Sequence, residues 1–279
     1  MRIVQISDTH LSQDKPRFLD NWAPLAAWIA DQHPDLVIHT GDVTVDGAGV
    51  EADLSFSAQL MTELGIRWRA IPGNHDVGDA GHASQPVNAE RLGTWRRYFG
   101  SDRWIEDVIA GAQRWRLVGL DALLVGSGQP EEAEQALWLE QVMAEAEERR
   151  IAWFLHRPLF LEDPGEADTG YWSIKPQPRG PLVELVRRHR VALVASGHLH
   201  KARDFTLEGT RYIWSPASSF LVGASQPDMP GEKRLGAVVY DLDNAAVTAR
   251  IAEVPGLTEH WVAMQSTVRP DTAGGQPAN

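Results

Sequence analysis

Five short fragments of the 279-residue chain carry side chains that can bind a metal ion or move a proton. They are, in chain order, Asp8-Thr9-His10, Gly41-Asp42, Gly73-Asn74-His75-Asp76, His156 and Gly197-His198-Leu199-His200. Carboxylate and amide oxygens, together with imidazole nitrogens, are common ligands of divalent metals. An Asp-x-His or a His-x-His alone is frequent by chance, but this ordered set predicts a metal site.

Each fragment stands at the end of a short apolar run. Runs of this length that end in polar or Gly-rich residues are typical of buried strands. In open α/β sheets, ligands bind outside the carboxyl ends of the strands, so residues distant in sequence converge there. The runs are Ile3–Ile6, Leu36–His39, Arg69–Ile71, Ile151–Leu155 and Val191–Ala195. Their convergence is the main argument for one site.

The spacing within two fragments predicts which side chains act together. Alternate residues of an extended segment face the same way, so Asp8 is expected to act with His10, and His198 with His200. Three glycines fit places where the backbone turns sharply or approaches an ion, namely Gly41, Gly73 and Gly197. The other histidines lack this context and are predicted to be structural: His33, His39, His82, His189 and His260.

Composition excludes several other kinds of site. The chain has no cysteine, which rules out disulfides, zinc fingers, iron–sulfur clusters and a cysteine nucleophile. Its net charge of −12 disfavours a long polyanionic partner, because non-specific nucleic-acid binding depends on Lys and Arg. We therefore expect no nucleic-acid polymer as a partner. With 43% apolar residues and 11 tryptophans, the chain can bury a sizeable core.

Helical patterns alternate with the first apolar runs and predict an α/β sheet with helices on its faces. Apolar residues show helical spacing around Leu25, around Leu60 and within Glu131–Arg150. Trp115–Leu120 adds a further strand. Three later segments lack intervening helices and predict a second, more antiparallel sheet packed on the first: Arg211–Ser215, Leu235–Asp241 and Val247–Val254.

The chain is predicted to form one domain over residues 1–268, with lid-like insertions near residues 77–104 and 161–181. Residues 269–279 are rich in Pro, Gly, Thr and Gln and are predicted to be disordered. Residues Met1–Ser7 are predicted to form a strand, so we expect no signal peptide. No stretch approaches the roughly 20 apolar residues of a spanning helix. We expect a cytoplasmic protein without a membrane role.

The ordered fragments over residues 8–200 resemble the calcineurin-like metallophosphoesterase superfamily. The resemblance implies an α/β fold, a four-layer αββα sandwich of two mixed β-sheets flanked by helices. It also implies two divalent ions that share Asp42. One ion would be bound by Asp8, His10, Asp42 and His200, and the other by Asp42, Asn74, His156 and His198. These ligands suit manganese, iron, zinc or cobalt.

The resemblance further implies hydrolysis by attack of a metal-bridging hydroxide on phosphorus. Two ions roughly 3.5 to 4 Å apart lower the pKa of a shared water and clamp the attacking and leaving oxygens. In this family the histidine at position 75 points at the substrate, where it stabilises the phosphoryl charge or protonates the leaving oxygen. Asp76 would orient His75.

Within the superfamily, the chain is similar to bacterial cyclic-nucleotide and glycerophosphodiester phosphodiesterases. We therefore expect a phosphodiesterase that acts on a small-molecule phosphodiester, with substrate contacts from Asn74, His75 and Arg157. Those relatives often have a second histidine where this chain has Arg157, whose guanidinium suits either a phosphate oxygen or an ion pair. Aromatic residues of the insertions, including Trp95 and Tyr171, are candidates for substrate walls or for packing.

Other activities remain open for the same ligand set. They are phosphomonoester hydrolysis by a phosphatase, pyrophosphate cleavage and, less favoured by the charge, a nuclease. A non-catalytic scaffold predicts missing ligands or the loss of His75, and the sequence shows neither. Relatives are frequently oligomeric, so a homo-oligomer is also an open alternative.

Overall fold

The structure, a computed structural model, describes residues 1–224, 226–243 and 247–263. The predicted disordered tail at residues 269–279 lies outside this part of the chain. The strands are β1 (Arg2–Ile6), β2 (Leu36–His39), β3 (Trp68–Ala70), β4 (Trp104–Ala110), β5 (Gln113–Leu120), β6 (Arg150–Leu155), β7 (Leu193–Ser196), β8 (Arg203–Leu207), β9 (Thr210–Trp214), β10 (Phe220–Val222), β11 (Ala237–Leu242), β12 (Val247–Ala252) and β13 (His260–Val262). The α-helices are α1 (Trp22–Asp31), α2 (Glu51–Glu63), α3 (Asn74–Val77), α4 (Ala89–Phe99), α5 (Pro130–Ala144) and α6 (Pro176–Arg188).

Two mixed sheets form the centre of the fold. The first has the strand order β12-β11-β1-β2-β3, in which β1, β2 and β3 run parallel and β11 runs antiparallel to β1. The second has the order β4-β5-β6-β7-β9-β8, with β5, β6, β7 and β9 parallel and antiparallel strands at both edges. Strands β10 and β13 form a separate parallel pair.

Side-chain alternation along β1 explains how the layers stack. Ile3 belongs to the core between the two sheets, and the amide of Gln5 donates to the Ser196 carbonyl of β7 at 3.2 Å. Val4 and Ile6 point the opposite way and pack with apolar residues of α1 and α2. Since neighbouring strand residues face opposite sides of a sheet, β1 serves two cores at once.

Helices cover the outer face of the second sheet as well. The indole of Trp153 in β6 donates to the sulfur of Met143 in α5 at 3.3 Å, and residues of α5 and α6 belong to the same buried cluster. The order of layers is therefore helix, sheet, sheet, helix. The predicted four-layer α/β sandwich of two mixed sheets is confirmed.

The predicted assignment of strands to sheets is wrong. β9 joins the second sheet parallel to β7, while β11 and β12 extend the first sheet, so the later strands do not form a sheet of their own. The first strands are likewise split between both sheets. Hydrophobic periodicity identifies a strand from its own residues. Which strands pair with it depends on the path of the chain, and periodicity carries no information about that path.

Some element boundaries also differ from the predictions. The helix expected over Glu131–Arg150 ends at Ala144, because Arg150 begins β6. Helix α4 lies within one segment predicted to be lid-like, and its Trp95 is fully buried and stacks on Phe99 at 4.2 Å. Trp95 is therefore part of the core, not of a substrate wall. Among the described residues, no helix is long and apolar enough to cross a membrane.

Candidate metal centre

The five fragments meet in the folded chain and bring their ligand atoms together. One group contains Asp8, His10 and His200, and another contains Asp42, His156 and His198. Within each group the ligand atoms lie within 4.8 Å of one another, and all six residues are buried. Ligand atoms this close together could share an ion, so each group could hold one metal.

The ligand-bearing turns are left-handed rather than extended. The backbone φ angles are positive at five ligand residues: Asp8 (52°), His10 (45°), Asp42 (51°), His198 (70°) and His200 (50°). Aspartate and histidine tolerate this region better than most residues, although each instance carries some strain. The expected extended geometry of the two pairs is therefore wrong, and the turn at Leu199 sends His198 and His200 to different groups.

The three glycines beside the ligands are required by close approach. A Cβ atom at Gly73 would lie 2.2 Å from the backbone nitrogen of Asp42, and one at Gly197 would lie 1.9 Å from the Ser7 hydroxyl. Gly41 has a φ of 89° and would place a Cβ atom 2.7 Å from the His156 ring. This confirms the prediction for these glycines, since side chains there would displace the ligand loops.

Asp42 lies between the two groups. Its Oδ2 atom is 3.8 Å from His10 Nε2 and 3.4 Å from His156 Nε2, so one carboxylate oxygen faces both groups. The other oxygen, Oδ1, accepts a hydrogen bond from the His75 backbone amide at 2.8 Å. That bond fixes the carboxylate orientation and leaves Oδ2 directed at both groups.

In the first group, Asp8 is held through one oxygen only. Its Oδ2 accepts hydrogen bonds from the Ser7 hydroxyl at 2.5 Å and from the His198 amide at 3.0 Å. Its buried Oδ1 accepts no hydrogen bond and lies 3.4 Å from His200 Nε2, while His10 Nε2 likewise makes no hydrogen bond and lies 3.8 Å from Asp42 Oδ2. Buried polar atoms rarely lack a hydrogen bond, and both of these atoms belong to residues of the first group, where a bound ion would satisfy them.

In the second group, ring orientation leaves two imidazole nitrogens facing each other. The Nδ1–H of His156 donates to the Thr40 carbonyl at 2.8 Å, and the Nε2–H of His198 donates to the Tyr171 carbonyl at 2.9 Å. The remaining nitrogens, His156 Nε2 and His198 Nδ1, are 3.1 Å apart. In neutral rings both would carry lone pairs, so a proton or a cation must lie between them.

The charge of Asp42 determines where that proton resides. Burial lowers the pKa of His156, but the Asp42 carboxylate outweighs burial and raises it to about 9. Burial and the neighbouring positive charge of His156 lower the pKa of His198 to about 3. The two rings therefore share one proton, which a divalent ion would displace on binding.

The residues present fit a pair of divalent metals. Buried carboxylate, imidazole and amide oxygen form a hard-to-borderline ligand set, and Asn74 Oδ1 lies 3.3 Å from His156 Nε2 at the second group. The predicted ligands Asp8, His10, Asp42, Asn74, His156, His198 and His200 are all brought to this site. None of the histidines predicted to be structural belongs to a ligand group among the described residues.

His75 lies beside the first group. Its ring centroid is 4.7 Å from that of His10, and its Nδ1–H donates to the Val45 carbonyl at 2.7 Å. This bond leaves Nε2 as the ring atom available to a substrate. Ligand atoms of His75, His10 and Asp42 also lie within 4.8 Å of one another.

The predicted role of Asp76 in orienting His75 is not matched by its hydrogen bonds, which go to other groups. The Asp76 carboxylate accepts from the backbone amides of Val43 at 3.1 Å, Thr44 at 2.9 Å and Gly73 at 2.8 Å. It also accepts from the Thr44 hydroxyl at 2.7 Å. Burial and the nearby Asp42 charge raise the pKa of Asp76 to about 6. Asp76 therefore joins two ligand loops, and none of its described hydrogen bonds goes to the His75 ring.

Arg157 and Tyr171 cover the second group. Arg157 forms an ion pair with Asp79, and its guanidinium lies 5.7 Å from the Tyr171 ring centroid. The Tyr171 hydroxyl accepts from Asn74 Nδ2 at 3.1 Å, and the Tyr171 ring is 4.5 Å from that of His198. The sequence offered Tyr171 only as one of several aromatic candidates, and Asp79 was not predicted.

Comparison with known proteins agrees with this geometry. The family model for calcineurin-like phosphoesterases matches residues 1–202. The chain belongs to this family, whose members are hydrolases that depend on two metal ions. The fold is the one that the sequence resemblance implied.

Individual relatives are more distant. The chain is 28% identical over 217 residues to the probable glycerophosphodiester phosphodiesterase of Arcobacter nitrofigilis, covering 72% of each chain. It is 28% identical over 244 residues to the 3′,5′-cyclic adenosine monophosphate phosphodiesterase of Escherichia coli strain K12, covering 78% of this chain and 76% of the relative.

A solved structure supports the fold. The dimetal phosphatase of Danio rerio superimposes with a TM-score of 0.57 at 14% identity, covering 89% of this chain and 98% of the other. At this identity the likeness shows a shared architecture and carries nothing about substrate.

Proposed function

We propose that the chain is a two-metal phosphodiesterase that hydrolyses a small-molecule phosphodiester of the cyclic-nucleotide or glycerophosphodiester kind. One ion is held by Asp8, His10, Asp42 and His200, and the other by Asp42, Asn74, His156 and His198. The observation that carries the proposal is the position of Asp42 Oδ2, which faces histidine nitrogens of both groups at 3.8 and 3.4 Å.

Two divalent ions at these positions would supply an activated water and charge neutralisation at phosphorus. The chain itself supplies the geometry. Asp42 is locked by the His75 amide, and Asp76 ties the loops that carry Asp42 and Asn74. His75 Nε2 is placed to hold a proton for the leaving oxygen, because Nδ1 is engaged with Val45.

Two considerations favour a small diester as substrate. Both curated relatives described above carry phosphodiesterase names, one for a cyclic nucleotide and one for a glycerophosphodiester. The net charge of −12 works against a nucleic-acid polymer, since long polyanions require a basic surface. Manganese, iron, zinc and cobalt all suit the ligands.

The test compares bis(p-nitrophenyl) phosphate with p-nitrophenyl phosphate on the manganese-loaded protein. We expect faster hydrolysis of the diester, with rates reduced by at least about 100-fold in Asn74→Ala and His75→Ala. His82→Ala, an exposed histidine outside the ligand groups, is the matched control and should retain full activity. Preference for the monoester would favour a phosphatase, and activity that survives His75→Ala would contradict the assigned role of that residue.

A further inference from the structure

A cavity of about 290 Å³ opens beside the first metal group. His10 and His75 are among its lining residues, which places the cavity next to the proposed reaction centre. Its walls are apolar, formed by Val45, Phe220 and Val262 with Phe18. A volume at the low end for ligand pockets fits one part of a substrate, namely one ester substituent.

The aromatic ring of Phe220 is the main flat surface in this cavity. It lies 4.2 Å from the His200 ring and 4.8 Å from the His10 ring, measured between centroids. The buried ring of Phe18 packs against it at 4.7 Å with an interplanar angle of 31°. Phe220 is half-buried and therefore keeps part of its ring accessible.

Two basic side chains stand at the rim of the cavity. The Lys15 ammonium donates to Asp46 at 2.8 Å, so its charge is already paired. Arg17 donates to the Trp261 carbonyl at 3.2 Å, and its guanidinium lies 5.3 Å from the Phe18 ring centroid. Arg17 thus extends the flat apolar wall with a planar cation on which a π-system can also stack.

We infer that this cavity binds a planar aromatic ring of the nucleobase class, carried by the substrate as one ester substituent. The inference rests on the proposed function and narrows it, because a glycerol substituent has no ring to stack on Phe220 and would leave apolar walls unfilled. A nucleobase offers a flat π-face to Phe220 and Arg17 while its phosphate lies at the metal groups.

Equilibrium binding separates this inference from catalysis. Adenosine 5′-monophosphate carries a base at the sugar carbon where ribose 5-phosphate carries a hydroxyl group, so calorimetric titration of each onto the manganese-loaded protein isolates the contribution of the ring. Stacking of one base on an aromatic side chain corresponds to about tenfold or more in affinity. We expect the nucleotide to bind at least about tenfold more tightly than the sugar phosphate.

The variant Phe220→Leu should reduce this affinity ratio to within about threefold of unity, because leucine keeps apolar volume but lacks the ring. The backbone carbonyl that holds His200 is unchanged by the substitution. Trp261→Leu is the matched control, since Trp261 is 51% exposed and does not line the cavity. Its affinity ratio should equal that of the unmodified protein.

Equal affinity for the two probes would overturn the inference, as would an affinity ratio that Phe220→Leu leaves intact. The comparison on the unmodified protein needs no variant and stays decisive if Phe220→Leu fails to fold. A preserved affinity ratio without diester hydrolysis would refute the proposed activity and retain the nucleobase site. Diester hydrolysis with no preference for the nucleotide would support the proposed activity and refute the nucleobase site.

Discussion

At the scale of single residues, backbone carbonyls fix the protonation pattern of the metal-facing histidines. Three of these rings donate from one nitrogen to a carbonyl and so present the other nitrogen to the candidate ion position. The donor and acceptor pairs are His156 with Thr40, His198 with Tyr171, and His200 with Phe220. These second partners come from other parts of the chain, which makes the ligand tautomers a product of the fold.

Tyr171 offers a direct test of whether a hydrogen-bond partner of a ligand supports metal binding. Its hydroxyl accepts from Asn74 Nδ2, which turns the amide oxygen of Asn74 toward the second group. Tyr171→Phe removes this bond, and loss of an outer partner typically costs about tenfold or more in metal affinity. We expect manganese affinity, measured by calorimetry, to fall by about tenfold.

The matched control is Tyr98→Phe, which removes a hydroxyl bonded to Glu51 away from the ligand groups. This variant should bind manganese as the unmodified protein does. The same affinity in Tyr171→Phe and Tyr98→Phe would show that the Asn74 contact does not support metal binding.

Residue types at the site could be predicted from the sequence, but several contacts could not. The ligands could be predicted because carboxylate and imidazole side chains recur at successive strand ends. The pairing of Asp76 with amides of Val43, Thr44 and Gly73 is a matter of loop conformation, which no spacing encodes. Tyr171 is 97 residues from Asn74, so their contact exists only after folding.

At the scale of elements, short parallel strands position the ligand residues of the site. The residues that follow β1, β2, β6 and β7 provide ligands from both sheets, and a hydrogen bond from Gln5 in β1 to Ser196 in β7 joins the sheets near these ends. The strands themselves were predictable because their apolar runs are short and end in polar residues. The left-handed turns at the ligands could not be predicted, because a positive φ at Asp or His depends on the conformation of the whole loop.

The end of β5 carries a buried carboxyl group that is not part of the site. Asp121 Oδ1 accepts from the Leu123 amide at 2.8 Å, whereas Oδ2 has no hydrogen-bond partner. Burial, reinforced by the charge of Asp102, raises the pKa of Asp121 to about 8. The folded state therefore holds this proton more tightly than the unfolded chain, where the pKa of aspartate is about 3.9.

The sign of the pH dependence follows from that difference. Asp121 stabilises the fold fully below about pH 4, and its contribution declines by up to about 1.4 kcal/mol per pH unit as the pH rises toward 8. Asp121→Asn removes the titration. The free energy of unfolding of the variant, minus that of the unmodified protein, should therefore increase between pH 5 and pH 7. Urea denaturation of the metal-free proteins measures this.

Asp31→Asn, at an exposed position in α1, is the control and should keep a constant offset across the same pH range. A constant offset for Asp121→Asn as well would mean that Asp121 is already ionised in the folded protein at pH 5.

At the scale of the whole molecule, two sheets face each other and gather ligands from residues 8 to 200 into one site. The arrangement of strands escaped prediction because β9, β11 and β12 are distributed over both sheets, which depends on the path of the chain through the core. The class of fold was predictable from alternating helices and strands together with the family resemblance. The net charge of −12 is compatible with a site whose cations are supplied by metal.

The central claim is that the chain holds two metal ions that share Asp42. Manganese titration of the protein after treatment with a chelator, followed by calorimetry and electron paramagnetic resonance, tests it most directly. We predict two ions per chain with a spin-coupled signal, and a single uncoupled ion in His198→Ala because that variant loses a ligand of the second group only. Binding of fewer than two ions by the unmodified protein, or of two ions without coupling, would contradict the account.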